Sequence, residues 1–563
     1  MQDSLLAQLP SELLLHLLSF LDLASLGSLA RTSRAFHSLV QTSILPAYAV
    51  DRLGYAPSTL RRGHDTLRWT WGRKAAWTDR IVGRWEAEGR YSGVSFGEWD
   101  RTLPSVRLWD VERGVSGVLI ARGTGLEWWV AQDLRGTMVC VPVVVQGFDD
   151  PLVRLVRDGK KRSSANALDD ITALTAGRAP GHVVVSRVSG VVQKLEVVDV
   201  GGRGRAIVLA ESARYAIPRP GPTRPGSTAV QALDSNRDLI AAASTIRLPP
   251  PHPRHLDLDE GDSLARSLAK RAAPKQHQVT LHSLSSPWSD PAVVPLKTKS
   301  WSVHLAPTSS PDWLAIGNTS TAPLSLVPLD STGCPITSAM TSLAHTTKST
   351  SVYGLTSPSL DCSPFLRPDQ TVIAAFFDSS TRIYDLRIRP SPSSSSALVT
   401  PSDWDDPVPP ANEVMRLADP WSDDPCYSVA CGGPLGCSVA VGSARNSAVR
   451  LFDIRQPSAS LPPTTTMTTM MGTKSSDRTR RPRRGWTAFS PSGDRSPVYG
   501  LAIETSRIWG VTERSAFVLN YHAGRDGPRG TRREDRVAYV KHDGEGKGEL
   551  RRTMHHEVEI LPT

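Results

Sequence analysis

Residues able to do chemistry are sparse in this chain of 563 residues, and their spacing is poor. Cys431 and Cys437 share the Gly-rich turn "CGGPLGCS", but a thiol nucleophile needs a paired base and the sequence supplies no sign of one. None of the six cysteines forms a CxxC pair, so neither a zinc site nor a dithiol redox site has support. "GGRGRA" (201–206) is Gly-rich yet lacks the Gly-Lys-Ser/Thr ending that cradles phosphate, and reads as a turn between strands. His555 and His556 cannot make a metal site alone. The acidic clusters "DWDDP" (403–407) and "DPWSDDP" (419–425) have the wrong spacing for a calcium loop and read as solvated loops. The sequence predicts no catalytic residues, no cofactor and no metal, and hence a protein that is not an enzyme.

The elements that carry these residues are therefore more informative. Length alone predicts two to four domains unless a repeat architecture absorbs most of the chain. The net charge of +10 brings nucleic acid or acidic partners into consideration. The densest basic runs, "DRTRRPRR" (477–484) and "GTRREDR" (530–536), fall in loop-like stretches, and no nucleic-acid-binding motif accompanies them. Six cysteines in so long a chain do not suggest a disulfide framework. The apolar N-terminus is interrupted by Glu12, His16 and Asp22, and lacks the basic flank of a signal peptide. The expectation is a soluble protein of the cytoplasm, the nucleus or both, with no membrane partner.

"LPSELLLHLLSFLD" opens with Pro10, suited to a first helical turn, and places Leu14, Leu17, Leu18 and Leu21 on one face. Asp22 can cap a second helix, "LASLGSLARTS", and Ser33 a third, "RAFHSLV". A unit of about 40 residues buries too little surface to be comfortable alone. Its leucine density implies that part of it meets a partner. Residues 47–90 follow as a connector in which Trp69, Trp71, Trp77 and Trp85 sit among arginines, a pattern expected to pack a helical segment on the next domain.

From residue 170 onward a three-strand unit recurs six times. The first runs are "DITALTAG", "TAVQALDS", "WSVHLAP", "SVYGLTSPS", "CYSVACG" and "PVYGLAIET". Second runs such as "TVIAAFF" and "CSVAVGS", and third runs such as "STRIYDL" and "AVRLFDI", follow with period-two alternation. "SRVSG" and "SARNSA" carry turn residues between the second and third runs. The β-rich region 91–150 is expected to supply a seventh unit. Within it, "VRLWDVERG" has no clear pair of strands before it and reads as a lone closing strand or a coincidence of composition. Pro/Ser/Thr-rich or mixed-charge inserts fall near 217–227, 248–275, 390–410 and 457–484, and are expected to be mobile.

Two resemblances follow. Residues 5–45, with Leu9-Pro10, the acidic Glu12, the leucine-rich helix, "FLDLASL" and "RTSRAF", resemble an F-box. The repeats resemble a divergent WD-repeat β-propeller, chiefly through "RIYDL" and "RLFDI", in which Asp385 and Asp453 match the family's structural Asp and Tyr384 and Phe452 replace its Trp. The upstream Gly-His pair of that family is matched only by Ala344-His345, which leaves the buried His–Asp network of most blades in doubt. The implied fold is a small all-α F-box bundle (1–46), the connector (47–90), an all-β propeller (91–525) of seven blades, six of them clear, and a charged tail (526–563).

The resemblance implies a substrate-recognition subunit of a Skp–cullin–F-box ubiquitin ligase. The F-box would dock a Skp-type adaptor, and through it a cullin, while the propeller would bind a target protein, phosphorylated or not. Carried over by position, Leu9, Pro10, Leu13, Leu17, Leu26 and Phe36 are the adaptor-docking candidates, with packing of the bundle's own core as the alternative role for each. No substrate-binding residue is assigned. Two other readings stay open: a propeller scaffold working outside any ubiquitin ligase, and a basic nucleic-acid-binding protein.

Overall fold

The structure is a computed structural model that describes residues 23–40, 92–146, 170–248, 274–388, 412–454, 483–521 and 559–560, with short gaps inside these ranges. Two helices come first, α1 (Leu23–Ala30) and α2 (Arg34–Leu39), and almost everything after them is strand. The expected first helix, the connector 47–90 and the inserts' central parts lie outside the described residues, as does the tail apart from residues 559–560.

Strand β1 (Ser92–Phe96) is followed by β2 (Ser105–Glu112), β3 (Val115–Arg122), β4 (Gly125–Leu134) and β5 (Thr137–Gln146). Next come β6 (Ile171–Ala176), β7 (His182–Arg187), β8 (Val191–Val200) and β9 (Ala206–Ala216), then β10 (Thr228–Ser235), β11 (Leu239–Arg247), β12 (Lys275–Ser283) and β13 (Ala292–Leu296). A fourth run comprises β14 (Ser300–Leu305), β15 (Trp313–Ser320), β16 (Leu324–Pro328) and β17 (Thr341–Ala344), and a fifth β18 (Thr350–Thr356), β19 (Thr371–Phe376), β20 (Ser380–Asp385) and β21 (Glu413–Ala418). The sixth holds β22 (Cys426–Gly432), β23 (Ser438–Ser443), β24 (Ala448–Asp453) and, after the two-residue β25 (Arg483–Arg484), β26 (Trp486–Phe489). The last has β27 (Gly500–Ile503), β28 (Arg507–Val511) and β29 (Ala516–Asn520), and β30 (Glu559–Ile560) pairs with β25.

Each run is an antiparallel meander, and β1 adds to β29 as the fourth strand of the last one. The ladders combine into five sheets of four or eight strands plus the β25–β30 ribbon, rather than the seven separate blades expected. Two junctions cause the difference. Val144–Gln146 of β5 runs parallel to Ala206–Val208 of β9, and the end of β15 pairs with the start of β18, fusing neighbouring meanders. The arrangement is propeller-like: the first strands β2, β6, β10, β14, β18, β22 and β27 touch their neighbours in that order, and β27 touches β2.

The cores explain why. Both faces of the five larger sheets are largely apolar, so each must be covered by a neighbour. In β19, Ile373 and Ala375 pack toward Val439 and Val441 of β23, while Val372, Ala374 and Phe376 pack the other way, on Trp313 and Ala315 of β15. A corresponding core seals the last meander against the first, joining Trp509 and Val518 to Val106, Val118 and Trp129, with Phe96 of β1 at its edge. Phe96 lies 4.6 Å from the Trp129 ring and 5.9 Å from that of Trp509.

"VRLWDVERG" requires a correction. It is neither a lone strand nor a coincidence, but β2 and the residues after it, the first strand of a complete meander β2–β3–β4–β5. The closing strand is the preceding "SGVSF". Turns between second and third strands behave as their residues require. Gly190 has φ +82°, and Asn446 and Ser447 adopt φ of 59° and 48°.

Candidate functional site at the axis

Five first strands carry a β-bulge near their start. The residue skipped by the register is Thr172 in β6, Gln231 in β10, Trp301 in β14, Tyr353 in β18 and Tyr427 in β22. A bulge re-aims one side chain out of the alternation. Tyr499, just before β27, holds the matching place in the last repeat. The residue after the bulge is small because the next first strand comes close. A Cβ on Gly354 would lie 2.9 Å from Val429 N, and one on Gly500 would lie 2.9 Å from Val106 Cγ1. Where that residue is Ser, its hydroxyl bridges the junction: Ser302 Oγ donates to Val352 O (2.9 Å) and Ser428 Oγ to Val498 O (2.7 Å). The shared "Val-Tyr-Gly-Leu" thus has a cause, with Val in the core, Tyr at the bulge, and Gly where a neighbour presses.

The re-aimed aromatics meet. Trp301 and Tyr353 have ring centroids 5.1 Å apart, Tyr353 and Tyr427 stack at 4.6 Å with planes 10° apart, and Tyr427 meets Tyr499 edge-on at 6.0 Å. Phe377, 46% exposed, extends the group outward at 5.8 Å from Tyr353. All four members of the arc are half-buried. Trp301 Nε1 donates to Thr319 Oγ1 (2.7 Å), which fixes the indole, and the Lys299 ammonium sits 3.4 Å over its ring. Burial and then the neighbouring Lys275 lower the Lys299 ammonium below its ordinary value, while burial raises the Tyr353 phenol.

Further along the same strands runs a polar chain. Asp234 of β10 accepts from His304 Nδ1 (2.9 Å) and from the Leu305 N–H (2.9 Å), and His304 Nε2 lies 2.7 Å from Ser357 Oγ. Thr175 of β6 donates to Asp234 at 3.4 Å. A carboxylate only accepts, so Nδ1 carries the imidazole proton and Nε2 faces the serine hydroxyl. Burial pushes the Asp234 carboxyl up, but the hydrogen bonds from His304 and the Leu305 N–H and the field of Arg107 outweigh it and hold it below its ordinary value. The Ser–His–Asp connectivity is that of a catalytic relay. Ser357 is buried, however, which denies a substrate the approach a nucleophile needs, and each bond joins strands of different meanders. Its work is to clamp the axis.

Asp385 ends β20 as expected, buried, but its partner is the Arg387 guanidinium (2.9 and 3.1 Å from Nε) and the Arg387 N–H (3.0 Å), which together hold its carboxyl low. His345 is exposed. No His–Asp network therefore forms there. Asp453 ends β24 half-buried. Arg382 and Arg450, the third residues of β20 and β24, are drawn inside: Arg382 lies over the Phe376 ring and ion-pairs with Asp378, and Arg450 donates to Asp424 O (3.1 Å) and Ser422 Oγ (2.6 Å). Cys431 and Cys437 flank a turn and form no disulfide, and burial raises the Cys426 thiol to about 11.

Of the adaptor-docking candidates, Leu26 on α1 is fully buried and Phe36 on α2 is half-buried. Leu9, Pro10, Leu13 and Leu17 lie outside the described residues. Neither the arc nor the Asp234–His304–Ser357 chain was assigned in the sequence. The repeated aromatic-x-aliphatic run was the visible signal for the first. The second joins residues more than fifty positions apart and left no local trace.

Residues 6–45 match the F-box-like family. No curated protein matches the chain. The chain thus carries an F-box-like domain at its N-terminus, followed by a propeller-like β body. F-box domains typically bind Skp-type adaptors and are typically non-catalytic. Among the described residues no helix is long and apolar enough to cross a membrane.

Proposed function

We propose that the protein is a substrate receptor of a Skp–cullin–F-box ubiquitin ligase. The observation that carries this reading is the F-box-like match over residues 6–45 ahead of a propeller-like β body, an architecture that suits protein interaction. Leu9, Pro10, Leu13 and Leu17, with Phe36 beside them, would dock the adaptor, and Leu26 would hold the bundle together. Residues 47–90 would lead from the F-box to a propeller of 91–525, with 526–563 as its tail. A seven-bladed, WD-related ring is favoured by the circular contact of the seven first strands and by the core between the last meander and the first. Such a receptor transfers no ubiquitin itself. It raises the effective concentration of target lysines beside a charged enzyme, in the cytoplasm or nucleus.

The test is adaptor capture from purified components, wild type against Leu9→Ala/Pro10→Ala. Capture by wild type and loss in the double variant is the expected result. Equal capture by both would sink the docking assignment, and no capture by either would leave a propeller scaffold outside any ligase.

A further inference from the structure

Where the target is held follows from the axis. The end of the sheets at which the first strands begin also carries the second-to-third strand hairpins, such as 377–379, 444–447 and 512–515. The aromatic arc lies at this end. The chain enters from the opposite end, because β1 runs antiparallel to β29, with Ser92 across from Asn520 and Phe96 across from Ala516. The arc therefore lies at the end of the body opposite Ser92.

Half-exposed aromatics in mutual contact are costly to leave in water and make strong, rigid anchors in interfaces. Three successive ring spacings of 5.1, 4.6 and 6.0 Å, with planes 50°, 10° and 82° apart, make one continuous run of rings. An extended peptide rises about 3.3 Å per residue, so roughly five residues cover it. Around it the described charges are mostly positive. Lys297 and Lys348 precede Trp301 and Tyr353, Arg445 and Arg514 stand on hairpins, and Arg495 precedes Tyr499, all exposed. Of the acidic residues at this end, Asp378 is engaged by Arg382, Asp419 by Arg450 and the buried Asp424 by Arg445, Asp170 and Glu513 are half-buried, and Asp423 stands exposed. The rim cations come from separate links and are spread along the arc. That suits several spaced carboxylates better than one phosphate dianion, which takes converging guanidinium forks. Arg382 and Arg450 are already held inside.

We propose that the arc Trp301–Tyr353–Tyr427–Tyr499, with its basic rim, captures an acidic, unphosphorylated peptide segment carrying an apolar anchor side chain. The anchor lies on the rings and the flanking carboxylates meet the rim. That this segment belongs to a ubiquitylation target rests on the receptor reading; the binding chemistry does not.

The experiment is a selection of random, unphosphorylated 12-residue displayed peptides on the full-length protein, followed by fluorescence anisotropy of the best binder. Enrichment of peptides combining Asp or Glu with an aromatic or aliphatic residue is expected. The best binder should lose about tenfold or more in affinity on Tyr427→Ala, as for a central interface anchor. Lys297→Glu/Lys348→Glu, both exposed and so harmless to folding, should weaken it severalfold, with an effect that fades at high salt. No enrichment, enrichment of basic peptides, or affinity unchanged by the charge reversal would each overturn the proposal. Replacing one Glu of the binder with phosphoserine should gain little; a hundredfold gain would make the site a phosphate reader and overturn it too. Adaptor capture on the same samples separates the two ideas. Failed selection with intact capture removes only the peptide site, whereas successful selection with failed capture removes only the ligase reading.

Discussion

His282 gives the most quantitative test of the packing. It lies on β12 opposite Ile240, 4% exposed, with its ring 5.3 Å from Tyr215 and its Nε2 lacking a partner. Burial alone lowers its imidazole from 6.5 to about 4. The folded protein therefore refuses a proton that the unfolded chain accepts. Stability from this residue is intact above pH 6.5 and is lost as pH falls toward the folded value near 4. Each pH unit in that window costs about 1.4 kcal/mol, so going from pH 6.5 to pH 5 costs about 2 kcal/mol. Denaturant midpoints of wild type and His282→Leu at pH 7.5 and pH 5 isolate the effect, because other groups titrate alike in both. Leucine fills similar volume and leaves no polar atom stranded, so the variant should be close to wild type at pH 7.5 and better than it by about 2 kcal/mol at pH 5. Parallel acid losses in the two proteins would refute the argument.

Two further substitutions probe the junctions. Gly500→Ala places a methyl 2.9 Å from Val106 Cγ1 at the contact between the last meander and the first, and should cost about 1–3 kcal/mol in a thermal or urea melt. Asp234→Ala strands His304 Nδ1 and the Leu305 N–H, a loss of about 2–4 kcal/mol in the same melt, whereas Ser357→Ala should cost less because it frees only an imidazole acceptor.

The inner strands were legible because they are the most regular. The second strands β11, β15, β19 and β23 are buried along most of their length, and the alternating or continuous apolar runs of the first, second and third strands announce them. The fourth strands were not. β13 contains Pro295, β17 is four residues long, and β21 and β26 follow long inserts, as an outer edge allows because one side of the ladder is unpaired. β2 resists local reading for a related reason: the other strands of its meander, β3–β5, follow it, and the strand before it, β1, pairs with the other end of the chain. The arc escaped because a bulge is invisible in the letters. Tyr353 and Tyr427 look like core aromatics until the register skips them.

The pairing of β1 with β29 has a consequence for biosynthesis. Ser95 Oγ reaches the Ala516 carbonyl across 421 residues of sequence. During translation the F-box segment and β1 emerge first, and β1 must wait for nearly the whole body before its partner exists. Loop closure over such a span makes assembly slow, and β1 stays a bare edge until the end. A chain terminated early would keep its F-box-like segment and lack a finished propeller-like body. On the proposed function, such fragments would occupy adaptors without delivering cargo, so the last strand to be made decides whether the first domain is useful or inhibitory.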